Sequence, residues 1–406
     1  MNIASTFDPQ PIIDLPLAPS DTMGPPQAYA PLRRECPLAK VRMPQGMAVD
    51  ATAWYVTRYS DVRQLVADRR LIRPTINAWP PSATRSEDSG PGLITVMEMD
   101  GPQHVALRQA LAEAFSTRSI RAHQPRLRHL AAGLLDAFTA GGQAGDLVAG
   151  FAEPFPLQVM CDLVGIPYDD RDYFVPMADA ALGALQTLDE GRGVTERLRE
   201  YICSIIDRKR REPTDDVLGQ LLSACSGGVL TEESVISFGL SMLVAGYRTS
   251  TMFLANSVYT LLTHPDQYAM LRTDRAMMPT AVEELLRYVP VMNGVVVLLA
   301  TEDIELHGHT IRKGDAVQPV LAAANRDETV FADPDRLDLR RTDNPHIVFG
   351  RGPHNCFGAH LARAELTVAL DTLLDRLPGL HLIDDQPPTW DNSSPARSPL
   401  TLPVGW

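Results

Sequence analysis

The chain has 406 residues, of which 45% are hydrophobic and 21% charged, a globular balance with ample material for a core. A net charge of −13 argues against nucleic acid as the main partner, because a phosphate-binding surface is usually basic. Five scattered cysteines (Cys36, Cys161, Cys203, Cys225, Cys356) form neither a C-x-x-C nor a zinc-type cluster, which disfavours a disulfide framework and fits a reducing cytoplasm.

Residues 1–30 are proline-rich and read as an extended N-terminal segment without the basic start of a signal peptide. A strand is expected at 53–57, followed by a helix capped by Ser60 or Asp61. Residues 73–92 carry Pro, Ser and Gly without periodicity and read as a long, functional loop. A helix starts at Asp100 with Pro102 in its first turn. Helical patterns follow at 121–139, 153–164, 169–189, 193–211, 215–225, 232–264 and 266–288. The apolar stretch 235–263 is interrupted by Arg248 and hydroxyls, and neither uncharged half reaches the ~20 residues of a bilayer span, so it reads as a core helix. Strand formers broken by turn signals occupy 295–327, and a last helix runs from near Cys356 to Leu377. With no internal repeat or linker, residues 1–406 read as one mainly α domain with small β-sheets.

Four short stretches carry chemistry. In "HIVFGRGPHNCFGAHLARAEL", Cys356 lies among Gly350, Gly352 and Gly358 at the start of a helix. Unsatisfied N–H groups and the helix dipole there favour a thiolate and lower its pKa from about 8.5. Such a sulfur can be a nucleophile, a metal ligand or a redox sensor. "HVALR" puts His104 and Arg108 on one helix face, and "EELLR" does the same for Glu284 and Arg287. "AGYRTST" places small Ala245 and Gly246 before Thr249, whose hydroxyl can bond the carbonyl one turn back.

Together these stretches resemble the cytochrome P450 superfamily, the haem-thiolate monooxygenases, in its soluble bacterial form, from about residue 30 to the end. "FGRGPHNCFGAHLAR" matches the family's F-G-x-G-x-H-x-C-x-G-x-x-L-A-R at every defined position. "EELLR", "HVALR" and "AGYRTST" resemble its E-x-x-R, H-x-x-x-R and A-G-x-x-T, and "RDETVFADPDRLDLRRTDNPHIVFG" its meander. The resemblance implies the family's fold, a single large helical domain around a buried haem b. Cys356 would be the axial ligand of the iron. Phe349 would pack on the haem, Gly350, Gly352 and Gly358 would shape the loop, and His104, Arg108 and His354 would hold the propionates. Glu284 and Arg287 would form a structural lock with Arg336. Ala245, Gly246 and Thr249 would line the dioxygen side. Substrate would lie under 73–97, the helices around 170–192, the strand 291–298 and the tip 392–396.

Two positions depart from the family. Arg248 stands where relatives carry an acid that delivers protons, and arginine cannot donate one near neutral pH. Three roles are open to it: pointing away to a carboxylate, contacting substrate, or accompanying a reaction in which a substrate radical couples before oxygen is inserted. Leu298 stands where relatives carry a propionate-binding arginine.

No G-x-G-x-x-G fingerprint is present, so electrons would come from separate proteins, which the resemblance implies are a ferredoxin and its reductase, supplied by NADPH or NADH. These would dock on a basic patch of Arg118, Arg121, Arg126, Arg128 and Arg351. The expected reaction is oxidation of a small, largely apolar secondary metabolite with dioxygen, by hydroxylation or a related step. The alternative is oxidative C–C or C–N coupling of aromatic or cyclic-dipeptide substrates. Neither nucleic acid nor membrane is an expected partner. A cysteine hydrolase would need a histidine motif beside Cys356, and a helical binding module would not require the Gly-Cys-Gly loop.

Overall fold

Pro102 sits in the first turn of the helix Gly101–Leu111, where its missing N–H costs nothing, and Asp100 precedes it in extended conformation. The same local logic builds most of the helices in the computed structural model, which describes residues 12–15, 17, 25–42, 52–73, 96–182, 188–289, 291, 297–390 and 397–406. Ser116 accepts from the Ser119 N–H and starts Thr117–Thr139, ahead of the expected 121. Pro154–Val164 ends at Gly165, whose φ of 85° suits a left-handed cap. Arg171–Leu182, Leu188–Arg211 and Val217–Ser226 follow.

Three expectations are corrected. The helix Tyr59–Leu65 has Arg58 at its N-cap, not Ser60 or Asp61, and the Tyr59 N–H is met from afar by Asp327 at 2.8 Å. The pattern at 232–264 is not one helix. It runs as Glu232–Ser241, a π-turn Met242–Gly246, and Arg248–Leu262. The pattern at 266–288 is also two helices, Pro265–Thr273 and Met278–Tyr288, because Asp274 turns the chain and Pro279 starts the second one.

The principal sheet has six strands in the order Ile13–Asp14, Leu38–Arg42, Thr52–Val56, Ala316–Pro319, Leu298–Ala300, Leu71–Ile72. Strand Thr52–Val56 pairs parallel to Ala316–Pro319 and antiparallel to Leu38–Arg42. Its side chains alternate between two small cores, Trp54 and Val56 in one and Ala53 and Tyr55 in the other. The large core is helical and takes in Leu107, Phe151, Phe155, Leu243, Leu286 and Leu366. Arg248–Leu262 runs through it against Ala359–Arg376, which also packs along Thr117–Thr139. The turns of 326–350 lead from the sheet to the Cys356 loop. Among the described residues, no helix is long and apolar enough to cross a membrane. Of the segments expected around substrate, 74–95, 183–187, 292–296 and 391–396 lie outside the described residues.

Candidate active site

The Cys356 loop is a chain of backbone bonds. The Gly350 N–H donates to Ile347 at 2.8 Å, the Asn355 N–H to Gly352 at 3.1 Å, and the Cys356 N–H to Phe349 at 2.8 Å. Gly350 and Gly352 have φ of 71° and 75°, which side chains rarely adopt. At Gly352 a Cβ would also come within 2.9 Å of the Ala67 backbone. Gly358 is different: its φ is −75°, open to any residue, but a Cβ there would stand 3.8 Å from the Cys356 Sγ, beside the sulfur.

Cys356 comes just before the helix Ala359–Arg376, with Gly358 at the N-cap. Its sulfur lies deep in the molecule yet is accessible, as on the wall of an internal space. The expected lowering of the thiol pKa is not what the surroundings produce. Burial pushes it up, and the Gly358 N–H, Arg108 and Arg363 only oppose that push.

A polar cluster forms around the start of Gly101–Leu111. His104 is 3% exposed and stacks on His354 at 4.3 Å between ring centres. Asp100 accepts from His354 Nε2 at 2.8 Å and from the Arg73 N–H at 2.6 Å. Burial, with His354, Arg108 and Arg73 nearby, lowers the His104 pKa to about 4, so its ring is neutral at physiological pH. His104 Nε2 and Arg73 Nε are buried without a hydrogen-bond partner, a cost of about 1–3 kcal/mol each unless a ligand meets them. Arg108 is half-buried and close enough to feel the Cys356 charge. The structure thus brings His104, Arg108 and His354 together and adds Arg73, the first residue of the aperiodic stretch 73–92. Leu298 is buried in the sheet, paired with Val317.

On the helix through the core, Thr249 donates to the Ala245 carbonyl at 2.9 Å. Ala245 and Gly246 lie in the π-turn just before it, a distortion frequent at functional sites. Arg248 turns away to Glu153 and Asp179, at 3.1 and 3.3 Å. Ser250 donates at 2.6 Å to Glu365 of the Ala359–Arg376 helix. The second oxygen of Glu365 has no partner, and burial raises its pKa to about 8. A cavity of about 10 Å³ between Phe155, Ser250, Leu286 and Glu365 has room for roughly one water.

Glu284 and Arg287 are fully buried and bidentate, with both bonds at 2.8 Å. Arg287 reaches the Asn325 and Pro334 carbonyls. The meander arginine that joins Glu284 is Arg341, at 3.1 Å, not Arg336. Arg336 points to Asp338 and gives the lock only its carbonyl, because its side chain is largely exposed. In the basic patch, Arg118 and Arg126 pair with Glu113 and Asp162.

The cytochrome P450 family model matches residues 186–399. The chain is 39% identical over 381 residues to nocardicin C N-oxygenase of Nocardia uniformis subsp. tsuyamanensis, covering 93% of this chain and 94% of that protein. It is 40% identical over 385 residues to mycinamicin IV hydroxylase/epoxidase of Micromonospora griseorubida, with the same coverage. The crystal structure of the LnmA cytochrome P450 hydroxylase from the leinamycin pathway of Streptomyces atroolivaceus superposes with a TM-score of 0.85 at 40% identity, covering 97% of this chain and all of that one. With the fold, the cysteine loop and these likenesses in agreement, the chain is a haem-dependent enzyme of the cytochrome P450 family.

Proposed function

We propose that this chain binds haem b through the Cys356 sulfur and oxidises a small, largely apolar natural product with dioxygen. The observation that carries this reading is the Cys356 sulfur, deep yet accessible, with Gly358 leaving its flank open and unmet donors on His104 and Arg73 nearby. A flat iron porphyrin with two carboxylates fits those features. Sulfur for the iron, an open flank for the ring, and imidazole and guanidinium donors for the carboxylates are the groups it needs. When bound, the haem supplies dioxygen activation and one-electron chemistry.

The protein residues do the rest. His104, Arg108, His354 and Arg73 take the carboxylates. A carboxylate brought to His104 would raise its pKa from about 4 and strengthen the bond. The Phe349 carbonyl holds the Cys356 N–H. The Glu284–Arg287–Arg341 lock holds the meander that feeds the loop. Ala245 and Gly246 give the dioxygen side room, and Thr249 presents a hydroxyl there, already bonded on one side to Ala245. Arg248 lends no proton, since it is a cation held by Glu153 and Asp179. Electrons come from a ferredoxin and its reductase, docked on the patch of Arg121, Arg128 and Arg351. Arg118 and Arg126 can exchange their surface partners at little cost.

Relatives named as an N-oxygenase and a hydroxylase/epoxidase favour oxygen insertion here. Arg248 pairs away with Glu153 and Asp179, which leaves Thr249 and water to deliver protons and also favours oxygen insertion. The second reading is oxidative C–C or C–N coupling of an aromatic or cyclic-dipeptide substrate without oxygen in the product. Turnover under labelled dioxygen separates them, after a metabolite panel has been screened for the spin-state shift of the haem. One labelled oxygen per product is the expected result. An unlabelled, cross-linked product overturns oxygen insertion in favour of coupling.

A further inference from the structure

Glu283, the neighbour of the lock residue Glu284, turns toward the cysteine loop. Arg363, on the helix that follows Cys356, grips it with Nε on one oxygen at 2.6 Å and Nη2 on the other at 2.9 Å. His346 Nε2 lies 3.0 Å from the second oxygen, and its side chain is 3% exposed. Burial raises the Glu283 pKa, but His346 and Arg363 outweigh that and hold it down at about 2. Glu283 is therefore an anion at any working pH, and His346 must donate Nε2–H to it.

The other side of Arg363 faces the site. Its guanidinium carbon stands 4.7 Å from the centre of the Phe349 ring, a cation–π distance. Phe349 accepts the Cys356 N–H, and the His346 ring also meets it. The Arg363 charge is felt at the Cys356 sulfur. One cation thus touches the ring of the residue whose carbonyl holds the Cys356 N–H, and is neutralised by Glu283.

We propose that Glu283, acting through Arg363, is a positioning residue that sets the positive charge felt by the Cys356 sulfur and so tunes the cofactor's reduction potential. This rests on the reading of Cys356 as the iron's ligand. A cation beside a thiolate draws electron density from it and favours the reduced, more negative state when one electron arrives from the redox partner. A bidentate carboxylate offsets that charge and fixes the guanidinium plane over Phe349. Without Glu283 the sulfur faces an uncompensated cation. Without Arg363 it loses that cation and keeps only Arg108, and Glu283 remains as an anion.

The two removals therefore act with opposite sign, which a merely structural role would not produce. Potentiometry on the haem-loaded protein tests this. Glu283→Gln should favour reduction by about tenfold, a rise of ~59 mV for one electron. Arg363→Leu should lower the potential, Glu283→Asp and Arg363→Lys, which keep the charges, should stay near wild type, and Glu283→Ala and Arg363→Gln should repeat the two opposite shifts if the first pair fails to fold. A wild-type protein without the red-shifted reduced carbon-monoxide band would overturn the ligand reading and this inference with it. A normal band with potentials unchanged, or shifted in one common direction, would overturn this inference alone.

Discussion

Two buried glutamates behave in opposite ways. Glu284 accepts from Arg287 twice, from Arg341, from the Asn344 side chain and from the Asp338 N–H, with none of its side chain exposed. Glu365, 3% exposed, has one hydroxyl partner, Ser250, and one oxygen with none. Burial is the same; the supply of donors differs. On the meander side a charge is surrounded by opposite charge and dipoles, so it ties Met278–Tyr288 to the turns of 326–350. Beside the helix that carries Thr249 the same group is left to hold its proton, with a pKa of about 8.

The largest expected effect breaks the first of these. Glu284→Gln leaves Arg287 and Arg341 buried without their anion and should cost about 3–5 kcal/mol, read as the shift of a urea unfolding curve. Arg341→Ala should cost less, and Arg336→Ala should change little, since that side chain faces solvent. Equal losses at 336 and 341 would return Arg336 to the lock.

The second glutamate is tested by pH. Its pKa is raised from 4.5 unfolded to about 8 folded. Between those values the native chain keeps a proton that the unfolded chain has released, so stability falls as pH rises through that window and levels off above it. The slope from this group is at most about 1.4 kcal/mol per pH unit. Glu365→Gln should flatten unfolding free energy against pH from 5 to 8. An unaltered slope would mean that Glu365 ionises in the native state as readily as in water.

Arginine on the surface should matter least to the fold and only to electron delivery. Arg118→Glu with Arg121→Glu should slow reduction by a ferredoxin at low salt and weaken its salt dependence, with the unfolding midpoint unmoved. An unchanged rate would remove this face as the docking patch.

How much of this was legible follows from how local each feature is. The Cys356 loop is contiguous, so its glycines and sulfur could be read directly. Glu284 and Arg287 share one helix face and could be paired by spacing. Their third partner could not: Arg336 and Arg341 lie on the same aperiodic meander, and only the turns decide which points inward. Arg248 declared itself as a departure, but its partners are Glu153, which caps one other helix, and Asp179, which lies within a second. Glu365, inside "ARAEL", reads as an ordinary helical polar position, and residues of other helices, among them Ser250, Phe155 and Leu286, enclose it. The π-turn at Met242–Gly246 follows a stretch, 234–243, that is buried on every side, so no one-sided pattern existed for it to interrupt. Arg73 was hidden because no helix or strand pattern fixed where it points.

The most direct test of Cys356 as the iron's ligand is the carbon-monoxide spectrum of the reduced, purified protein beside Cys356→Ser. The expected result is a red protein whose Soret band carries the red shift of thiolate ligation, lost in the serine variant while the fold persists. A wild-type protein that takes up no haem, or a red-shifted band that survives in Cys356→Ser, would contradict it.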